Sequence, residues 1–311
     1  MTDHIVDPQD EARHQPDPDD LWNESYYADF VHGDGTWGGW LRLGLYPNRQ
    51  VAWWTTYIVG ADRPGVHSVN YTVPVPAGTG LVAEDAATRI EIDLVDPLKR
   101  FRLAATASAE VMGAPEDVYS GTAGTPTELE VDLTWTTDGS PYHYELTTRY
   151  EIPCLVSGTV RIGDETLQVD GQGQRDHSWG VRDWWAFGWC WSSARLDDGT
   201  RVHLADIRMP GFPVAFGYLQ APTAGDAQPV SSLAVSEEMG QHGFPETARI
   251  DIASEASAIG IAVTPVAYGP VLLVNDTDGR ISRFPRALVH YQADDGRAGF
   301  GWIEWNQPEP A

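Results

Sequence analysis

Thirty-one glycines and 22 prolines punctuate this 311-residue chain in groups about ten to fifteen residues apart, with short runs between them that alternate apolar and polar side chains. Glycine weakens a helix entropically, and proline removes a backbone donor and clashes with the preceding turn. No window keeps a three-to-four apolar period free of both. The runs therefore predict strands. In the first half they cover 40–45, 51–59, 69–75, 88–94, 101–107, 129–136 and 142–152. In the second they cover 155–162, 165–171, 187–196, 201–209, 216–220, 249–252, 259–266, 288–293 and 298–306. Asp197-Asp198-Gly199, Thr277-Asp278-Gly279 and Asp294-Asp295-Gly296 are hairpin chemistry, because Asp and Gly tolerate positive φ. Short helices are expected only at 21–30 and near 231–239.

Many short, evenly spaced strands predict an all-β fold of two joined barrels, whose alternate side chains face an interior able to hold a ligand. Two barrels of about 130 to 150 residues use the chain. They are expected over 21–153 and 154–311, after a disordered acidic leader, 1–20.

The balance of 45 acidic and 20 basic residues gives a net charge of −25, which repels nucleic acid and anionic membranes in the absence of a local basic patch. A neutral, apolar small molecule fits better as a partner. Two cysteines, Cys154 and Cys190, make no disulfide framework and suit a reducing compartment. No signal-like start and no membrane-length apolar run occur, so a cytoplasmic location without stable membrane insertion is expected. The nine histidines are scattered without a ligand spacing, and no phosphate-binding glycine loop or G-x-S-x-G elbow is present. No metal and no cofactor are expected. The oligomeric state is not legible.

The segment 171–195, GQGQRDHSWGVRDWWAFGWCWSSAR, carries the densest chemistry. Three ionisable residues, Arg175, Asp176 and His177, precede five tryptophans. Alternation after Phe187 sets Phe187, Trp189 and Trp191 on one face and Gly188, Cys190 and Ser192 on the other. A bulky face lining a barrel offers π surfaces to a cation; packed between barrels, it is core. Asp176, desolvated among rings, is the candidate general acid, and His177 the candidate proton relay or water holder. The competing reading of Asp176 is a structural ion pair with Arg175 or Arg182. Adjacent strand residues point apart, so Asp176 and His177 share a site only where the backbone bends. Candidate binding residues are Tyr27, Trp54, Trp179, Asp183, Trp185, Trp189 and Trp191, with Asp183 also a candidate partner of Arg182.

The runs RDHSWG, GWCWSSARLDDGTRVHLADIR and GRAGFGWIEWN resemble the carotenoid 1,2-hydratase and AttH-like superfamily of double lipocalin-like proteins. The likeness is strongest over 171–208 and extends loosely to DFVHGDGTWGGWLRLGLYPN and PLKRFRLA. The resemblance implies two lipocalin-like (calycin) barrels with an apolar pocket in or between them. That superfamily spans hydratases of carotenoids and of the isoflavonoid kievitone, and lipocalin-like cyclases acting on polyenes. It implies an acid that protonates an alkene carbon, a role Asp176 matches best. The acidic chain departs from the carotenoid enzymes, pointing to a smaller terpenoid, steroid-like or polyketide-derived substrate.

Three functions stay open. The first is a cofactor-independent hydratase or dehydratase of an apolar alkene or tertiary alcohol. The second is an isomerase or cyclase that mainly orients a polyene-like substrate. The third is a non-catalytic carrier of an apolar metabolite.

Overall fold

The structure is a computed structural model and describes residues 6–222 and 227–309. Its strands form two antiparallel sheets, divided by the segment 182–187. The first contains β1 (Trp22–His32), β2 (Trp37–Tyr46), β3 (Val51–Gly60), β4 (Arg63–Pro74), β5 (Val82–Glu84), β6 (Thr88–Asp96), β7 (Arg100–Val111), β8 (Thr125–Thr137), β9 (Tyr142–His143), β10 (Arg149–Ile162) and β11 (Glu165–Val181). Its order runs β4-β3-β2-β1-β11-β10-β8-β7, and the sheet returns on itself where Val66 and His67 pair with Val111 and Glu110.

The second contains β12 (Gly188–Leu196), β13 (Arg201–Arg208), β14 (Val214–Gln220), β15 (Gln228–Met239), β16 (Pro245–Ser254), β17 (Ala258–Tyr268), β18 (Val271–Val274), β19 (Ile281–Phe284), β20 (Arg286–Ala293) and β21 (Ala298–Pro308). Strands β12 to β17 with β20 and β21 close into a barrel where β12 meets β21. Among the described residues the one α-helix is a single turn, Asp117–Ser120. The expected all-β fold of two joined lipocalin-like barrels is what the chain adopts. The three Asp-Gly turns close β12–β13, β18–β19 and β20–β21, with positive φ at Gly199, Gly279 and Gly296.

Each barrel fills its own interior. Leu41, Leu43, Trp54, Leu103, Leu133 and Trp135 pack inside the first, and Leu204, Ile250, Ile261, Val289 and Ile303 inside the second. Each such side chain contributes about 1.5–3 kcal/mol on burial. A third cluster, including Trp40, Tyr46, Trp53, Trp184, Trp189 and Trp302, packs the outer face of one barrel against the other.

Four expectations are corrected. The segment 21–30 lies in β1, where Tyr26, Ala28 and Phe30 enter the barrel core while Tyr27 and Val31 enter the inter-barrel cluster. Burial of both faces erases the polar alternation that marks a strand. The segment 231–239 lies in β15, whose register on β16 sets Leu233 opposite Ile252 and overrides local propensity.

The division at 153/154 falls inside β10, and the sheets separate after Val181, so the RDHSWG motif belongs to the first barrel. Pro153 marks only a change of partner: Tyr150 and Glu151 pair with β9, and Cys154 onward with β8. The leader is packed where it is described. Val6 joins the first core, Pro8–Glu11 forms a 3₁₀ turn, Glu11 is buried, and Arg13 donates to the carbonyls of Pro76 and Gly78. Residues 1–5 lie outside the described residues.

Candidate functional site

Strand β11 runs without a break from Glu165 to Val181, so the motif alternates. Arg175 and His177 turn into the first barrel, and Asp176 turns outward to the second. Inside, the Arg175 guanidinium donates to Glu11 Oε1 at 2.7 Å, to which Tyr150 also donates. His177 bonds Glu24 through Nε2 and the Asp10 carbonyl through Nδ1, both at 2.7 Å, and stacks on Tyr26. His14 bonds the same Glu24 oxygen at 2.8 Å and stacks on Trp179 at 3.7 Å. Burial alone would raise Glu24, but the hydrogen bonds from His14 and His177 bring it down to about 2. Two of the motif's three ionisable residues thus hold the N-terminal segment against the barrel.

His14, Glu24 and His177 offer two imidazole nitrogens and a carboxylate oxygen within 4.8 Å of one another, a convergence of ligating residue types that the scattered histidines do not announce. In this structure both histidines hydrogen-bond Glu24, which also accepts from the His14 backbone N–H, and His177 bonds the Asp10 carbonyl as well.

On the outward side of β11 a cavity of about 470 Å³ opens between the barrels. Its first wall is the outer face of β1 to β3, β10 and β11, which presents Ser25, Tyr27, Trp40, Arg42, Trp53, Thr55, Arg149, Asp176 and Ser178. The opposite wall presents Trp189, Trp191, Ala205, Ile207, Phe216, Phe284, Arg286 and Glu304, and Trp184 and Phe187 of the connecting segment complete it. Side chains that alternate along both sheets make this site possible, since one face of each strand is already spent on its own barrel.

The polar floor is built on β10 and β11, where Glu151 stands opposite Asp176 and Arg149 opposite Ser178. The Arg149 guanidinium donates to Asp176 Oδ2 at 2.7 Å and to Glu151 Oε1 at 2.8 Å. Glu151, fully buried, also accepts from Trp191 Nε1 at 3.0 Å, Tyr144 at 3.3 Å and Gln174 Nε2 at 3.1 Å. Burial pushes the Asp176 carboxyl up to about 6; Arg149 pulls it down and the Glu151 charge pushes it further up. Two buried carboxylates share one guanidinium, so a proton held on Asp176 relieves their repulsion. Behind the wall, burial likewise raises Asp29 to about 7, and Asp29 accepts from the Tyr27 hydroxyl that lines the cavity.

Of the residues singled out in the sequence, Asp176, Tyr27, Asp183, Trp189 and Trp191 line this cavity. His177 does not, because the strand does not bend. Trp54 lies in the first barrel core with Nε1 on Ser68, Trp179 lies against His14, and Trp185 is tied to the Leu273 carbonyl behind the wall. Asp176 does pair with an arginine, but with Arg149 rather than Arg175 or Arg182. Asp183 pairs with Arg280 at 2.9 Å, not with Arg182. Sequence reasoning missed Arg42, Arg149, Glu151, Arg182 and Arg286 as site residues. The signal available was Arg149 and Glu151 two apart at the start of the strand, just before the apolar run 152–156, a spacing that puts both charges on one face.

The profile of a family described as a domain of unknown function, DUF7064, matches residues 7–309. No curated protein matches the chain. Among solved structures, an AttH-like protein of Nitrosomonas europaea superposes with a TM-score of 0.65 at 16% identity, over 98% of this chain and 97% of its own. Kievitone hydratase from Nectria haematococca superposes with a TM-score of 0.63 at 10% identity, over 97% and 93%. CghA superposes with a TM-score of 0.58 at 9% identity, over 94% and 89%. At these identities the likeness establishes the fold, and it bears out the resemblance to AttH-like double lipocalin proteins.

Proposed function

We propose that this chain, which belongs to the DUF7064 family, is a cofactor-independent hydratase or dehydratase acting on an apolar alkene or tertiary alcohol in the inter-barrel cavity. The observation that carries the reading is Asp176: a buried carboxyl, raised toward neutrality, at the polar floor of an aromatic chamber. In hydration, neutral Asp176 gives its proton to an alkene carbon. The carbocation is held against the faces of Trp189 or Trp191, water attacks it, and the water's surplus proton returns the acid. The reaction consumes water and leaves the enzyme unchanged. Dehydration is the reverse.

His177 faces away, so the water needs another holder. Ser178, on the same face as Asp176, and Ser25, opposite it in the register, present hydroxyls to the cavity and fit that task. The comparison with kievitone hydratase supports a hydratase-type fold; the terpenoid-like substrate is our own inference from the aromatic lining.

The Arg149 contact favours a second reading, a carrier or an orienting isomerase, in which Asp176 is only an ion-pair partner. Incubation with a panel of terpenes, sterols and polyphenols, followed by mass spectrometry, separates the two: a product changed by about 18 Da marks water added or lost. Asp176→Asn should then lower turnover by at least about a hundredfold while retaining ligand. Ligand returned unchanged, or turnover untouched by the substitution, overturns the acid-catalysed reading.

A further inference from the structure

The charges around the cavity do not cancel. Asp176 is committed to Arg149, Glu304 to Arg286, and Asp183 to Arg280. Arg42 and Arg182 remain. Among the described residues neither forms an ion pair. Arg42 donates only to the neutral oxygens of Ser25, at 2.9 Å, and Asn23, at 3.3 Å. No hydrogen bond from the Arg182 side chain to a described residue is found, although it lines the same cavity.

Both guanidiniums lie against one indole, that of Trp184, at 4.8 and 5.2 Å from its centre. Burial and the positive charges of Arg149 and Arg42, against the pull of Asp176, together bring the Arg182 pKa down to about 10. Two like charges held together at a partly buried wall, near Asp176 but in ion-pair contact with no described carboxylate, cost free energy that a bound anion would return. The same lining adds Arg286, 9% exposed, whose Nε and Nη1 have no hydrogen-bond partner among the described residues. All this occurs in a chain of net charge −25, where excess arginine is not a product of composition.

We propose that the natural ligand is not a neutral hydrocarbon but an amphiphile carrying a carboxylate or similarly delocalised oxyanion, held between Arg42 and Arg182, with its apolar body along the tryptophan wall toward Asp176. The guanidinium fork matches a planar, two-oxygen anion better than a hydroxyl. This inference rests on the reading of the cavity as the ligand site and narrows its substrate class. It departs from the expectation of a neutral partner drawn from overall charge: the net charge governs the long-range field, while these two side chains set the local one.

A matched pair of probes tests it. 4-(1-Pyrenyl)butyric acid and 4-(1-pyrenyl)butanol share one apolar body and differ in the charged end. Each is titrated into the intact protein near neutral pH and followed by quenching of tryptophan emission. The acid should bind at least about tenfold more tightly than the alcohol, as a charge-assisted hydrogen bond implies. The ratio should collapse toward one in Arg42→Gln combined with Arg182→Gln. Equal affinity for the two probes in the wild type overturns the anionic assignment and leaves the cavity reading standing. Failure of both probes to bind removes the cavity reading and this inference with it. A preference for the acid that survives in the folded double variant places the anion elsewhere and refutes the role of these arginines. The wild-type ratio decides the substrate class even where a variant does not fold.

Discussion

Replacing Arg175 by methionine tests whether the N-terminal segment is part of the first barrel. The Arg175 and Glu11 side chains are 3% and 2% exposed and meet at 2.7 Å. Methionine keeps the apolar stem but removes the charge, leaving the Glu11 carboxylate with the Tyr150 hydroxyl as its hydrogen-bond donor. Breaking a buried pair from one side costs about 3–5 kcal/mol, because the surviving charge is stranded in a medium that cannot solvate it. Among the described residues Glu11 Oε2 and Arg175 Nε and Nη2 have no hydrogen-bond partner even in the intact pair, which places the loss near the lower end, about 3 kcal/mol. The assay is urea unfolding, read as a change of midpoint at constant slope. Glu11→Leu added to Arg175→Met should recover most of the loss, since two apolar groups leave nothing stranded. A single variant within about 1 kcal/mol of wild type refutes the packed leader, since a solvated Glu11 has no need of Arg175.

With Asp176 as the acid near pH 6, kcat/KM for hydration should be level below that pH and fall about tenfold per unit above it; a flat profile from pH 5 to 8 removes Asp176 from the rate equation. Glu24 is depressed to about 2 in the folded state, so its stabilisation is full above its unfolded value near 4.5 and is lost as pH falls toward 2. Proteolytic nicking of the N-terminal segment should therefore rise through that window in the wild type and be high already at pH 5 in Glu24→Gln. Gly217 holds φ near 143°, where an added Cβ runs into the His203 carbonyl oxygen; Gly217→Ala should cost at least about 1–3 kcal/mol, read as a lower melting temperature.

The strands and the Asp-Gly hairpins were legible because turn chemistry and alternation are local, and the tryptophan face of β12 followed from alternation alone. What failed depended on contacts distant in sequence. Strand β1 reads as a helix because a second barrel buries the face that solvent would have made polar. The leader reads as disordered because its acids look solvated until Arg175, 164 residues away, supplies a partner for Glu11. Asp176 was found for its setting, but its actual counter-charge sits on a different strand, 27 residues back. The pairing of His177 with Asp176 followed from adjacency in sequence, which in an unbent strand separates two side chains.

That unbent strand gives the motif two independent jobs on a period of two. A saturation scan through 174–178 will not return one graded patch of sensitive positions. Losses at Arg175 and His177 belong with expression yield and protease resistance, whereas losses at Asp176 and Ser178, which line the cavity, belong with ligand handling under the function proposed for it. The segment RDHSWG is then no single catalytic emblem, and a variant of this chain that keeps only its odd or its even members is expected to lose one job while retaining the other.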